Sequence, residues 1–397
     1  MPKNKPARAQ GMQTRLIHGA QAANGTSAAT PPIFQTSTFR LESPEEGAAL
    51  AATPGAHAFY SRYGTPNTKQ VELMCAELDH AEAALAVGSG MGAITLAIMS
   101  NVKAGDHVVA QQTHYTSALT LLNHTLPQFG VEVTLVDQRD PKNFARAMRP
   151  NTRVVYTESP VNPTQVLTDL KATADIAHAG KAIAVTDNTF ASSYNQQPLA
   201  LGYDLVVHSA TKYLGGHSDV IAGVITGKKS LIERAWEMLI VSGAVLHPFE
   251  SWLLRRGLLT YGVRMAAHNQ NAMVVAKFLD KHPRVERVHF PGLPSHPQHD
   301  LAKRQMPGGF SGMLTFEVKG GYEAAYKMMG RTKVCTLAVS LGGVETLITH
   351  PASMINVHQT EAERKKSGIA PSLIRLSVGL EDVEDIIDDL DRALTAK

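Results

Sequence analysis

Cysteine is nearly absent: Cys75 and Cys335 are the only two in 397 residues, too few for a disulfide framework or a thiolate-built zinc site. Cys75 falls with Val71, Met74 and Leu78 on one helical stripe, which is a packing position. Long apolar runs are also missing, so no membrane-spanning helix is expected. The basic start, Met1-Pro-Lys-Asn-Lys-Pro-Ala-Arg8, lacks the apolar centre of a signal peptide, and the expectation is a cytoplasmic protein. Neither sign of charge dominates. The 38 Lys and Arg against 35 Asp and Glu leave a net charge of +3, and no basic cluster is interleaved with aromatics. Nucleic acid is therefore not an expected partner. What remains is an ordinary globular composition, 44% hydrophobic, with length enough for two or three domains.

Residues 1–62 are rich in Ala, Thr, Pro and Gly and read as an extended N-terminal arm. Within it, Tyr60-Ser-Arg62-Tyr places an arginine among aromatics just before a helix start, suited to a phosphate or a subunit contact. From Thr68 onward helix and strand patterns alternate, which predicts an α/β fold with a mostly parallel sheet. The expected strands are Ala83–Val87, His107–Ala110, Val131–Val136, Arg153–Thr157, Ala182–Thr186, Leu205–Val207 and Val220–Ile225. These seven fall in one large domain, 63–262. A smaller domain, 263–397, opens with a helical stretch from Met265 to Asp280 and contains a strand near Met313–Val318. It closes with Val383, Ile386, Ile387, Leu390 and Leu394 at helical spacing. His289, His296 and His299 lie among Pro and Gly in an expected surface loop without nearby carboxylates or thiols, and no metal is expected there.

In sheets of this kind ligands bind at the carboxyl ends of the strands. After the first strand, Gly88-Ser-Gly90-Met91-Gly opens a helix. Gly88, Gly90 and Ala93 match a dinucleotide fingerprint formally, yet the next strand ends in Gln111 and Gln112 where a ribose-binding acid would stand. The turn reads instead as a phosphate cradle built on the amides of Gly90 and Met91. Tyr115 follows the second strand and can stack on a flat ring. Asn162 lies between two prolines after the fourth strand, and Asp187 follows the fifth. An acid ending an apolar strand is costly to bury alone, so Asp187 is expected to face a cation. The sixth strand runs into Ser209-Ala-Thr211-Lys212, where a lysine stands among small and hydroxylated residues and can form an imine with an aldehyde. A glycine turn for phosphate, an aromatic, an aspartate and a lysine at one sheet edge form the set that pyridoxal 5′-phosphate (PLP) requires.

The chain resembles the PLP-dependent enzymes of cysteine and methionine metabolism, the trans-sulfuration family of cystathionine γ-lyase, methionine γ-lyase, cystathionine γ-synthase and the O-acylhomoserine sulfhydrylases. The likeness rests on Tyr60-Ser-Arg-Tyr, Ser89-Gly-Met, Glu158-Ser-Pro-Val-Asn-Pro, Asp187-Asn-Thr-Phe, Ser209-Ala-Thr-Lys-Tyr-Leu-Gly-Gly-His-Ser-Asp, Pro291-Gly-Leu-Pro-Ser-His-Pro and Ser340-Leu-Gly-Gly. It implies PLP fold-type I, the aspartate aminotransferase-like architecture, assembled as a homotetramer of active dimers. By position, the resemblance makes Lys212 the Schiff-base lysine, Asp187 the partner of the ring nitrogen and Tyr115 the stacking residue. Gly90, Met91, Ser209 and Thr211 would hold the phosphate, joined by Tyr60 and Arg62 from the neighbouring subunit. Arg375, with Ser340 and Asn162, would clamp the substrate carboxylate.

The family's members differ at the substrate's distal end. Cystathionine enzymes usually carry a glutamate directly before the serine matching Ser340, where this chain has Val339, better suited to an uncharged thioether. Methionine γ-lyases typically carry a cysteine where Ser117 stands, and a Lys-Asp pair where Leu239 and Ile240 stand. Met354-Ile-Asn-Val also departs from the family's common Met-Thr-His. The resulting expectation is a carbon–sulfur lyase acting on methionine, homocysteine, cystathionine or cysteine. The alternatives are a γ-replacement enzyme using O-acylhomoserine and a catalytically silent PLP-binding regulator.

Overall fold

In the computed structural model, which describes residues 10–357 and 359–396, each of the seven apolar segments forms a strand. They are β1 (Ala83–Val87), β2 (His107–Gln111), β3 (Glu132–Val136), β4 (Thr152–Glu158), β5 (Ile183–Asp187), β6 (Leu205–His208) and β7 (Gly223–Gly227). Their side chains are buried on both faces in β2, β6 and β7, which is why these runs are continuously apolar instead of alternating. The sheet order is β1-β7-β6-β5-β4-β2-β3.

The sheet is mixed. Pairings among β2 to β6 are parallel, as expected, but β7 runs antiparallel to both β6 and β1. β7 also starts later than the apolar run Val220–Ile225, because Ala222 is already engaged: its N–H donates to the Thr211 hydroxyl and its carbonyl accepts from the Thr211 amide. The segment before β7 thus braces the turn that carries Lys212.

A second sheet, β10-β11-β12-β9-β8, comprises β8 (Val285–His289), β9 (Met313–Val318), β10 (Thr336–Leu337), β11 (Leu347–Thr349) and β12 (Leu373–Ser377). The helix Tyr261–Lys281 leads into it, and Ile386, Leu390 and Leu394 of the closing helix Val383–Thr395 pack on it with Phe316 and Ile374. Two further features differ from the sequence reading. The arm is not extended throughout: it contains the helices Met12–His18 and Pro44–Ala51. Leu16 of the first is buried with Val71, Met74 and Cys75, and Ser43 caps the second by accepting from the Glu46 amide. His289 does have a carboxylate neighbour, Glu317 Oε1 at 2.7 Å, because β8 and β9 lie side by side. Among the described residues no group of three His, Cys, Asp or Glu converges as a metal site would, and no helix is long and apolar enough to cross a membrane.

One buried ion pair fixes β6, the strand that delivers the lysine turn. The helix Pro66–Asp79 ends with Asp79, whose Oδ2 lies 2.8 Å from His208 Nε2 and accepts from Thr226 Oγ1 at 2.7 Å. Burial opposes the charge on both partners. On Asp79 the nearby imidazole and its hydrogen bonds outweigh that burial and hold the carboxyl below its ordinary value. On His208 the charges of Asp79 and Asp187 outweigh it and raise the imidazole. The raised His208 contributes stability at pH below its unfolded value, and this is lost as pH rises through its folded value. The lowered Asp79 contributes above its unfolded value and loses this as pH falls through its folded one. Asp79→Ala should therefore lower the urea unfolding free energy at neutral pH by about 3–5 kcal/mol, as expected for one partner of a buried pair. An unchanged urea midpoint would show that the pair does not hold β6.

Candidate active site

A cavity of about 440 Å³ opens at the carboxyl ends of the parallel strands, lined by Gly90, Met91, Tyr115, Asn162, Asp187, Ser209, Thr211, Lys212, Val339, Ser340 and Arg375. Residues separated by more than 280 positions in the chain thus converge, from Gly90 just after β1 of the first sheet to Arg375 on β12 of the second.

At one end the helix Gly90–Met99 points its N-terminus into the cavity. Ser89 caps it, its Oγ accepting from the Gly92 amide at 3.0 Å, while the amides of Gly90 and Met91 have no intrahelical acceptor. Glycine is required at 90: a Cβ there would meet Ser209 Cβ at 2.6 Å and Oγ at 2.7 Å. Two strand-end turns are pressed together at this point, with amides and a serine hydroxyl around it. The Thr211 hydroxyl is engaged with backbone, donating to Ala222 O at 3.2 Å, and is less free than the sequence suggested.

Asp187 ends β5, and Glu158 is its register partner at the end of β4. Among the described residues no Lys or Arg pairs with Asp187; its Oδ1 accepts from the Thr189 amide at 2.9 Å, and the His208 imidazole is near enough to favour its charged form. Burial and the neighbouring Glu158 charge push its carboxyl up to about 6. A cation brought opposite would draw it back down.

Lys212 is held by a compact turn. Its carbonyl accepts from the Gly216 amide at 2.7 Å, and Gly216 adopts φ 73°, where a Cβ would collide with the Arg264 guanidinium. Arg264 is buried and donates to Tyr213 O and Gly257 O, both at 2.8 Å. The Lys212 ammonium donates to Ser340 Oγ at 2.6 Å. Ser340 holds φ 82°, a left-handed conformation that costs a non-glycine residue about 1–3 kcal/mol and concentrates at functional sites. Burial, reinforced by the positive charge of Arg375, lowers the lysine to about 8.

Arg375 is only 3% exposed. It donates to Ser340 O at 2.8 Å, to Asn162 Oδ1 at 3.2 Å and to Thr349 Oγ1 at 3.4 Å, all neutral acceptors, and among the described residues no carboxylate pairs with it. Burial pulls it down to about 10, which still leaves it charged at neutral pH. Tyr115 stands at the cavity with 41% exposure, its amide anchored to Glu158 Oε2 at 2.9 Å.

Three of the singled-out residues lie off this lining. Tyr60 is exposed, and Arg62 donates to Ile240 O at 2.7 Å with its guanidinium 5.5 Å from the Tyr60 ring. Ser117 is on the helix Thr116–Thr120, and its neighbour Thr116 lines the cavity instead. Among the lining residues that sequence reasoning left without a role are Glu158, Thr189, whose Oγ1 accepts from the Ser209 amide at 2.8 Å, and Ile355. Glu158 was accessible by the argument applied to Asp187, since it too is an acid ending an apolar strand.

The profile of the Cys/Met metabolism PLP-dependent enzymes matches residues 13–395. This chain belongs to that family. An L-methionine gamma-lyase of Porphyromonas gingivalis is 50% identical over 97% of this chain and 97% of its own. A cystathionine gamma-lyase of Bacillus subtilis is 42% identical over 96% of this chain and 98% of its own. The crystal structure of metB from Corynebacterium glutamicum superposes with a TM-score of 0.90 at 36% identity, covering 97% of this chain and 98% of that one.

The family's cofactor is PLP, and the cavity suits it on its own terms. Free helix-start amides beside a serine match a phosphate, a buried aspartate with no Lys or Arg partner among the described residues matches a protonated ring nitrogen, and a lysine with a lowered proton affinity matches an aldehyde. In protein stripped of cofactor, the rate of Lys212 modification by trinitrobenzenesulfonate should rise with pH around a midpoint of about 8, because only the uncharged amine reacts. Arg375→Leu, by removing the adjacent positive charge, should move that midpoint upward. A midpoint in the ordinary lysine range for the unmodified chain would contradict the buried environment described here.

Proposed function

We propose that this enzyme cleaves the carbon–sulfur bond of sulfur amino acids by α,γ- or α,β-elimination, releasing a thiol, a 2-oxo acid and ammonia, and that methionine fits its site best. The observation that carries the choice of substrate is the chemistry of the lining. Among the described residues its acids are Glu158 and Asp187, and Glu158 is engaged by the amides of Tyr115 and Asn162. Val339, Ile221 and Ile355 present apolar surface. A methyl thioether meets no unpaired group there, whereas the distal ammonium of cystathionine would lack a partner at a cost of about 1–3 kcal/mol.

Bound in the cavity, PLP supplies an electron sink for negative charge at the substrate's α-carbon. The chain's residues would do the rest. Arg375, already desolvated and held by neutral oxygens, would bind the substrate carboxylate in bidentate fashion and fix its orientation. Asp187 would face the ring nitrogen and keep it protonated. The amides of Gly90 and Met91, with Ser209, would hold the phosphate. Lys212 would hold the cofactor at its aldehyde and, as the amine beside the substrate, would take the proton from the α-carbon. An amine whose proton affinity lies near neutrality serves that step better than an ordinary lysine.

In the same reading the arm 1–62 serves a neighbouring subunit, 63–262 binds the cofactor and 263–397 completes the substrate site, within a homotetramer of two active dimers. The exposure of both Tyr60 and Arg62 supports an arm that works in trans. If each site takes Lys212 from one subunit and Arg62 from the other, mixing equal amounts of inactive Lys212→Ala and Arg62→Ala chains before refolding should restore about one quarter of the activity, since half the dimers are hybrids with one intact site. No recovery on mixing would place Arg62 elsewhere.

The direct test is to give the purified enzyme methionine, homocysteine, cystathionine and cysteine separately and quantify thiol, 2-oxo acid and ammonia. Methionine should yield all three in equal amounts. Val339→Glu should shift the ratio of kcat/KM for cystathionine over methionine upward by about tenfold. Absence of these products from every substrate, together with thioether formation from O-acetyl- or O-succinylhomoserine and a thiol, would replace elimination by γ-replacement.

A further inference from the structure

His114 immediately precedes Tyr115 and is buried to 3% exposure. Its ring stacks on Tyr156 with centroids 4.5 Å apart and planes 10° from parallel. Neither ring nitrogen has a hydrogen-bond partner among the described residues. An apolar ring would fill the same stack without burying two unsatisfied nitrogens, so packing alone does not account for a histidine here.

What lies beside it does. His114 Nδ1 is 3.5 Å from Glu158 Oε2, beyond good hydrogen-bond geometry but within a small side-chain movement of it. That oxygen already accepts the Tyr115 amide at 2.9 Å, and Glu158 Oε1 accepts the Asn162 amide at 3.0 Å. One carboxylate therefore ties the loop after β2 to the loop after β4. The second of these loops carries Asn162, whose Oδ1 receives Arg375 at 3.2 Å.

We propose that His114 is a positioning residue that donates from Nδ1 to Glu158 Oε2 in the working enzyme, so that this carboxylate holds Tyr115 and Asn162 in place at the cavity. The proposal rests on reading the cavity as the lyase site. Burial holds the imidazole below its ordinary value, so at neutral pH the ring is uncharged and carries the single N–H that this bond uses. A second donor on Oε2 removes the freedom of a carboxylate that otherwise pivots on two amides. The groups it steadies are the aromatic expected over the ring and the asparagine beneath the guanidinium.

Two substitutions separate this role from packing. His114→Phe keeps the stack on Tyr156 and removes the donor, while His114→Asn keeps a donor near the Nδ1 position and removes the stack. The proposal expects His114→Phe to lose about tenfold in kcat/KM for the amino acid, mainly through KM, as for a lost hydrogen bond to a charged acceptor. It also expects weaker circular dichroism of the bound cofactor's visible band, because Tyr115 is less firmly placed. His114→Asn should resemble the unmodified enzyme in both measurements. Unmodified behaviour of His114→Phe, or equal impairment of the two variants, overturns the proposal. The dichroism needs no substrate: if the unmodified enzyme turns over no sulfur amino acid, the lyase reading falls while the dichroism still decides the role of His114. Should His114→Phe fail to fold, His114→Asn decides alone, supporting the proposal if its dichroism is retained and overturning it if lost.

Discussion

Arg375 brings a positive charge into the interior, and among the described residues neutral oxygens alone receive it. Leaving a charge buried without a counter-ion is among the most costly arrangements a protein can adopt, so the surrounding structure must over-determine it. Much of what is unusual nearby can be traced to that requirement. Ser340 takes a left-handed conformation and offers its carbonyl to Arg375 while its hydroxyl receives Lys212. Gly342, at φ 75°, lets the same loop approach the Tyr213 amide, where a Cβ would come within 2.8 Å. The same charge helps to lower the proton affinity of Lys212. A single guanidinium thus stands without an acidic partner among the described residues, as the proposed carboxylate site requires, and conditions the amine beside it.

The negative side of the cavity is organised by a complementary constraint. Glu158 and Asp187 end adjacent parallel strands in register, so two acids are buried side by side by the sheet geometry itself. They are kept apart in role by their hydrogen bonds. Glu158 is satisfied on both oxygens by main-chain amides, whereas Asp187 receives the Thr189 amide on one oxygen and sits near His208. The first is structural and the second remains available to a cation. The Asp79–His208 pair extends this arrangement outward, anchoring the strand behind Asp187 to a helix terminus.

Much of this was legible in the sequence because buried parallel strands advertise themselves as short apolar runs, and the residues after them are where ligands bind. Lys212, Asp187, Gly90 and Arg375 were recoverable on that basis or from the family motifs around them. The direction of β7 was not, since an apolar run reads the same either way; its antiparallel course depends on a turn braced by Thr211 and Ala222. Helices in the arm escaped notice because they are seven and eight residues long, too short for a periodic signal, and one is anchored by a single leucine. Gly88 looked like part of a phosphate fingerprint. In the structure its amide donates to Ala244 O and a Cβ there would strike Val245 O at 2.9 Å, so it serves close backbone packing instead.

That distinction between two glycines two residues apart explains how one turn can look like a dinucleotide motif and still suit a smaller ligand. Gly88 is consumed by the contact with 244–245, and Gly90 by the contact with Ser209. Only the helix-start amides of Gly90 and Met91 remain to meet an anion, and the serine pressed against them narrows the space on that side. A pyrophosphate needs a longer cradle with an acid further along for a ribose; here the following strand ends in Gln111, whose side chain is engaged with the main chain of Glu158 and Thr113. What the turn offers an anion is two helix-start amides beside one serine. In the proposed reading of the site, backbone packing at Gly88 and Gly90 therefore favours the single phosphate of PLP over a nucleotide before any residue touches the ring.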